Sequence, residues 1–218
     1  MNSELIRNDF PILKTKVGGH QIVYFDNAAT TQRPLPVVNA VLDYTTHENG
    51  NPHRGAHIFA ISASEAYDTS KEVVRDFIHA RSEKEIIYTR NTSESLNLVA
   101  RSYGETHLKA GDHILITIAE HHSNLVTWQR VAQKTGATLD YIYVDKETGH
   151  FPEEELKKID DPRVKLFAFA EVSNVLGIDF DPKPLIQRAH AHGAIVVLDG
   201  AQSTPHKPVD VQDLDLSL

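Results

Sequence analysis

The sequence predicts an α/β protein, a mostly parallel sheet with flanking helices, on three observations. Short apolar, β-branched runs recur at 85–88, 113–118, 138–144, 164–170 and 194–198. Between them lie segments of helical period, 93–108, 125–135, 152–159 and 184–192, the alternation expected of βαβ units. Gly136 and Gly193 then stand just past two of those helices, where a residue of positive φ closes a helix.

Earlier in the chain the pattern differs. A short extended piece is expected at 22–25, a turn at 26–31, a helix opening at Pro34, a Gly/Asn/His loop at 49–57 and a helix over 62–79. These read as an N-terminal arm and helices (1–84) feeding a large α/β domain (85–218). The tail 205–218 predicts a turn and then a strand pattern with no helix to cover the next crossover. The domain therefore reads as incomplete at its C-terminus.

The 218 residues are 40% hydrophobic and 24% charged, enough to bury a core. With 22 Lys and Arg against 30 Asp and Glu, the net charge of -8 has the wrong sign for nucleic acid. The absence of cysteine excludes disulfides, thiolate metal ligands and a catalytic thiol within the sequence, and is compatible with a reducing, cytoplasmic setting. The start, Met1-Asn2-Ser3-Glu4-Leu5-Ile6-Arg7, lacks the layout of a signal peptide. The apolar runs fall far short of the roughly 18–20 residues that span a bilayer, so no membrane partner is expected.

Ligands of an open parallel sheet bind at the carboxyl ends of its strands, so the polar residues after each run are the candidates. Asn91-Thr92-Ser93 opens a helix, where free N–H groups and the macrodipole favour a phosphate; a plain N-cap with Glu94 in the first turn is the competing reading. Asp199 ends an apolar strand, so its carboxylate needs a partner. That partner is either the following Gly-Ala-Gln turn or a cation such as the protonated pyridine nitrogen of pyridoxal phosphate (PLP). His121 and His122 offer a flat ring for a planar cofactor or a pair of metal ligands. His53 and His57 are four apart, but Pro52, Gly55 and Asn49-Gly50 place them on a loop, while His190 and His192 end a helix away from the site edge. With no HExxH spacing, no metal is expected. GxGxxG, GxxxxGK and Gly-x-Ser-x-Gly are also missing, which disfavours dinucleotides, P-loop nucleotides and the commonest hydrolase elbow.

Six segments, in order, carry a resemblance. They are Tyr24-Phe25-Asp26-Asn27-Ala28-Ala29-Thr30-Thr31, His53-Arg54-Gly55-Ala56-His57, Thr92-Ser93-Glu94-Ser95-Leu96-Asn97, Glu120-His121-His122-Ser123-Asn124, Val172-Ser173-Asn174-Val175-Leu176-Gly177 and Asp199-Gly200-Ala201-Gln202. Together they resemble the group II cysteine desulfurase and selenocysteine lyase family, within the class V aminotransferase superfamily of fold-type I PLP enzymes. The resemblance implies a PLP-transferase-like large domain, with PLP as cofactor and L-cysteine or selenocysteine as substrate. It further implies conversion of cysteine to alanine with sulfane sulfur left on the enzyme, a sulfur-acceptor protein for iron-sulfur cluster assembly, and a homodimer.

Thr92 and Ser93 match the family's phosphate-binding positions, and His121 the imidazole that stacks on the pyridine ring and helps to move protons. Asp199 matches the pyridinium partner and Gln202 the donor to the phenolic oxygen. Asn174 matches a residue near that oxygen and the substrate carboxylate, Ala28 a backbone contact to substrate, and His53-Arg54-Gly55 a loop at the site entrance and dimer interface.

The family's Ser-Gly-His-Lys segment, its carboxylate-binding arginine and its cysteine nucleophile would all lie beyond Leu218. The 218 residues alone are therefore expected to be inactive, with the edge of the last strand uncovered and prone to aggregate. Asn91 stands where the family often has Gly, and Ile178-Asp179-Phe180 follows Gly177 where a Thr is usual. Another class V aminotransferase or amino-acid lyase, and a non-catalytic truncated subunit, are the alternatives.

Overall fold

The computed structural model describes residues 3–216, which divide into two compact units, Met1–Glu72 and Val73–Leu218. The first unit opens with α1 (Ser3–Asn8), a 3₁₀ turn at Pro11–Lys14 and a small antiparallel hairpin. Its strands β1 (Lys16–Val17) and β2 (His20–Gln21) pair Lys16 with Gln21 and Val17 with His20 around a Gly18-Gly19 turn. The paired segment thus falls earlier than the extended piece expected at 22–25, which forms no strand. The expected turn does form: the Tyr24 hydroxyl donates to the carbonyls of Asp26 (3.0 Å) and Thr30 (2.7 Å).

Helix α2 (Leu35–Asp43) follows Pro34 and widens into a π turn at Tyr44–Glu48, where the Thr45 and Thr46 hydroxyls donate back to the carbonyls of Val41 and Leu42. After the 49–57 loop comes α3 (Ile58–Phe77), which runs across the boundary between the units.

The second unit is the α/β body. Four parallel strands, β3 (His113–Thr117), β4 (Thr138–Ile142), β5 (Val164–Ala170) and β6 (Ile195–Asp199), lie in the order β4-β3-β5-β6. Around them in chain order are α4 (Thr92–Val99), the short α5 (Glu105–His107), α6 (His122–Thr135), α7 (Glu153–Leu156) and α8 (Pro182–Ala191). Side chains alternate across the sheet, so its two faces build two cores. Ile114, Ile116, Leu166 and Ala168 face a layer with Trp128 and Val131 of α6. Leu115, Phe167, Phe169 and Val196 pack with Leu185, Ile186 and Ala189 of α8. Burial on both faces is why these strands read as continuous apolar runs. Gly136 (φ 76°) and Gly193 (φ 80°) close α6 and α8 in the left-handed region.

Two sequence expectations are corrected in this unit. Residues 85–88 form no strand: a 3₁₀ turn at Glu83–Glu85 precedes them, and although Ile86 is extended and buried, Ile87 and Tyr88 are exposed. An apolar run becomes a strand only where a ladder forms, and apolar pattern alone does not supply one. The helix expected over 93–108 forms as one continuous helical run, α4 passing through a π turn at Ala100–Gly104 into α5. There the bare Cα of Gly104 lies against Val131 and Trp128, where a Cβ would come within 3.2 Å of a Val131 methyl. The tail folds as turns rather than a strand, Leu214 N–H donating to Asp210 and Leu216 N–H to Val211, with both leucines packed on the α8-side core. Ser217 and Leu218, the end of that expected strand, lie outside the described residues.

Candidate active site

The connections that leave β3, β5 and β6 at their carboxyl ends carry most of the predicted residues. Thr92 opens α4 behind Asn91, whose side-chain oxygen accepts the Glu94 N–H (3.0 Å). The Glu94 carboxylate in turn accepts the Arg90 backbone N–H (2.6 Å) and pairs with its guanidinium (3.0 Å). The N-cap reading is therefore realised, and it leaves the hydroxyls of Thr92 and Ser93 on the first turn of the helix.

Thr92, Ser95, Leu96 and Val99 of α4 line a cleft of about 380 Å³ together with Val197–Gly200, Ala201 and Thr204. That volume is within the range of small-molecule sites. Asp199 sits in its wall, 6% exposed, and its Oδ1 accepts the Ala201 N–H (2.9 Å), so the turn-capping reading also holds. No Lys, Arg or His among the described residues forms an ion pair with this buried carboxylate.

His121 is the N-cap of α6 and is exposed. Its Nδ1 accepts the Ser123 N–H (3.1 Å), which in the neutral ring places the proton on Nε2. Asn174 lies exposed in a turn after β5, and Gln202 is half-buried in the turn after β6. His121, Asn174 and Gln202 thus share the carboxyl edge of the sheet but do not line the Thr92–Asp199 cleft; Ser93 is exposed beside it. Ala28 and the His53-Arg54-Gly55 loop belong to the first unit. Three other histidines weighed as metal ligands lie near carboxylates: His53 3.4 Å from Asp68, His190 3.4 Å from Asp215 and His192 3.7 Å from Asp160.

Three polar residues that sequence reasoning gave no role lie at this edge, Glu171 and Ser173 buried and Glu120 half-buried. The Glu120 carboxylate accepts from the Thr117 hydroxyl, the Asn124 amide and the Ala170 N–H (3.0 Å). Burial pushes its pKa up to about 7; those three hydrogen bonds pull down, while Asp199 adds a further push upward. Ser173, fully buried, donates to the Ala119 carbonyl (3.2 Å) and accepts from the N–H groups of Val175 and Leu176, pinning the Asn174 turn to the end of β3.

Glu171, 2% exposed, pairs through Oε1 with Lys207 (2.7 Å), which also reaches Asp179 (2.8 Å). Its Oε2 is buried without a partner. Burial works against the charged ammonium of Lys207, but Asp179 and Glu171 outweigh it and raise the lysine pKa. The one signal in the sequence was acidic residues directly after apolar strands, and it does not say what they touch.

A parallel sheet with helices on both faces and a cleft at its carboxyl edge defines the chain as an α/β protein of the PLP-transferase-like type. The chain belongs to the class V aminotransferase family, which matches residues 23–217. It is 46% identical over 210 residues to a probable cysteine desulfurase of Synechocystis, covering 96% of this chain and 50% of the relative. It is 47% identical over 210 residues to a cysteine desulfurase of Synechococcus elongatus, covering 96% and 33%.

Two solved structures share the fold. The apo cysteine desulfurase of Thermococcus onnurineus NA1 aligns with a TM-score of 0.87 at 40% identity, over 97% of this chain and 50% of that one. The cysteine desulfurase CsdA of Escherichia coli aligns with a TM-score of 0.86 at 36% identity, over 99% and 53%. The chain thus spans about half the length of most of these relatives. No helix among the described residues is long and apolar enough to cross a membrane.

Proposed function

We propose that this chain forms the cofactor-binding body of a PLP-dependent cysteine desulfurase, whose substrate is L-cysteine or selenocysteine. The observation that carries the reading is Asp199, a buried carboxylate in a cleft wall with no cation among the described residues to neutralise it. Such a group is stable beside a ligand that brings its own positive charge, and a protonated pyridine nitrogen does so. Its relatives named cysteine desulfurase, and a structural neighbour solved as SspA in complex with cysteine (26% identical, TM-score 0.79), support the substrate class.

In this reading Thr92 and Ser93 take the cofactor phosphate with hydroxyls and the free N–H groups of the α4 first turn. His121 lies against the ring, its Nε2 free to hold or pass a proton because Nδ1 is committed to Ser123. Asp199 keeps a proton on the ring nitrogen. Gln202 and Asn174 face the phenolic oxygen, Asn174 and Ala28 also the substrate. When bound, PLP supplies the electron sink that lets a substrate Cα proton leave. The sequence offers no thiolate to receive sulfur, and Lys207 is held as an ammonium between Glu171 and Asp179. The 218 residues by themselves therefore bind cofactor without turning over cysteine.

Titration of the purified chain with PLP, followed at the cofactor absorbance band, tests this. Saturable binding that Asp199→Asn weakens at least tenfold is expected, that being about the worth of one hydrogen bond to a charged group. Equal binding by the two proteins would overturn the reading. The family match alone also admits an aminotransferase acting on another amino acid. Product analysis of the complete enzyme separates the two, alanine with sulfide against a keto acid.

A further inference from the structure

Glu120 is the most deeply engaged carboxylate at the carboxyl edge, and the cofactor roles above leave it unused. Its three donors come from three elements: Thr117 at the end of β3, Asn124 in the first turn of α6 and Ala170 at the end of β5. Ala170 stands in register with Asp199 on β6. Asn124 passes the connection inward, its Oδ1 accepting the indole N–H of the fully buried Trp128 (2.8 Å). His121 is the next residue in the chain, about 3.8 Å away Cα to Cα, so the clamp reaches it with no slack.

We propose that Glu120 is a positioning residue for PLP: by fastening the α6 start to the ends of β3 and β5, it fixes His121 relative to the strand end that carries Asp199. This rests on the cofactor reading of the site. An exposed side chain at a helix start would otherwise be as mobile as the turn that bears it. Here the turn is tied by a half-buried carboxyl group that accepts from three partners. A glutamine at this position keeps one acceptor oxygen but turns the other into an N–H₂ group facing the Asn124 amide or the Thr117 hydroxyl, so part of the clamp is lost.

A double-mutant cycle on the 218-residue chain tests the inference, reading PLP affinity, the induced circular dichroism of the bound cofactor and the far-UV spectrum. Glu120→Gln is expected to weaken PLP binding about tenfold and to reduce the induced signal with the far-UV spectrum unchanged. His121→Ala is expected to do the same alone but to add little in the Glu120→Gln background, since a ring already unfixed has little left to lose. Thr117→Val, which removes one donor at constant shape, gives a smaller loss in the same direction and carries the test if Glu120→Gln fails to fold.

Binding by Glu120→Gln or Thr117→Val equal to that of the unmodified chain would overturn the positioning role, as would losses that multiply in the double variant. If the unmodified chain shows no saturable PLP binding, or Asp199→Asn binds as well as it does, the cofactor reading itself fails and takes this inference with it.

Discussion

The two edges of the one parallel sheet are built on opposite electrostatic principles. At the amino edge, charges are exposed or half-exposed and matched. Asp161 takes two hydrogen bonds from Arg163, whose guanidinium holds its carboxyl well below the usual range; His113 pairs with Asp140 across β3 and β4; and Arg188 spans Asp160 (2.6 Å) and Glu153 (2.9 Å). At the carboxyl edge Glu171 and Asp199 are buried and Glu120 is half-buried; among the described residues Glu171 keeps one oxygen without a hydrogen-bond partner, and Asp199 accepts from a backbone N–H. Folding alone gains little from withdrawing three acids from water, wholly or in part, on one side, because desolvation opposes their charge and two of them repel. The amino edge is what a sheet margin looks like when only stability shapes it. The difference singles out the carboxyl edge as the place for the proposed cofactor.

The largest expected effect separates the edges by pH. Glu120 is raised from 4.5 to about 7 in the folded chain, so the folded state holds its proton more tightly than the unfolded one. Its contribution to stability is fully present below pH 4.5 and is lost as pH rises through about 7, amounting to about 3 kcal/mol by linkage. Chemical unfolding of the chain and of Glu120→Gln from pH 4 to 8 should show the difference between their stabilities changing by that amount, with Glu120→Gln the flatter. Parallel curves would erase the contrast between the edges.

A smaller effect should follow from Lys207→Met, which leaves Glu171 buried and without its cation. About 2 kcal/mol of stability is expected to go, less than for a fully buried pair because Lys207 is partly in solvent. Adding Glu171→Gln should recover most of it, and a double variant as unstable as Lys207→Met would show that the pair does not act as one. At the other edge Arg163→Ala should leave the thermal midpoint where it is, since both partners of its ion pair meet solvent. A clear drop there would mean that the amino edge, too, depends on its charges.

Legibility in the sequence followed the same division. β5 falls on its expected bounds, 164–170, because a strand buried on both faces leaves an uninterrupted apolar run. The ends of α6 and α8 were readable because Gly136 and Gly193 act through their own backbone. Residues 85–88 carry the same apolar signal as β5 and still form no strand, since pairing depends on a neighbour that local pattern does not name. The turn-capping role of Asp199 and the N-cap role of Asn91 were visible as local options, each satisfied within three residues. Glu120 and Ser173 were not, for their decisive partners, Ala170 and Ala119, lie 50 and 54 residues away.

By itself, then, the sequence determined what is local: which runs are apolar on both faces, where helices start and stop, and that acids follow three of the strands. The tertiary structure decided which of those acids are buried, that the Glu120 pKa is pushed up to about 7, that Glu171 meets Lys207, and that Asp199 lines a cleft with no ion-pair partner among the described residues. Hydrogen-bond caps are set by neighbours a few residues apart. Desolvation and charge coupling depend on everything within several ångströms, whatever its place along the chain.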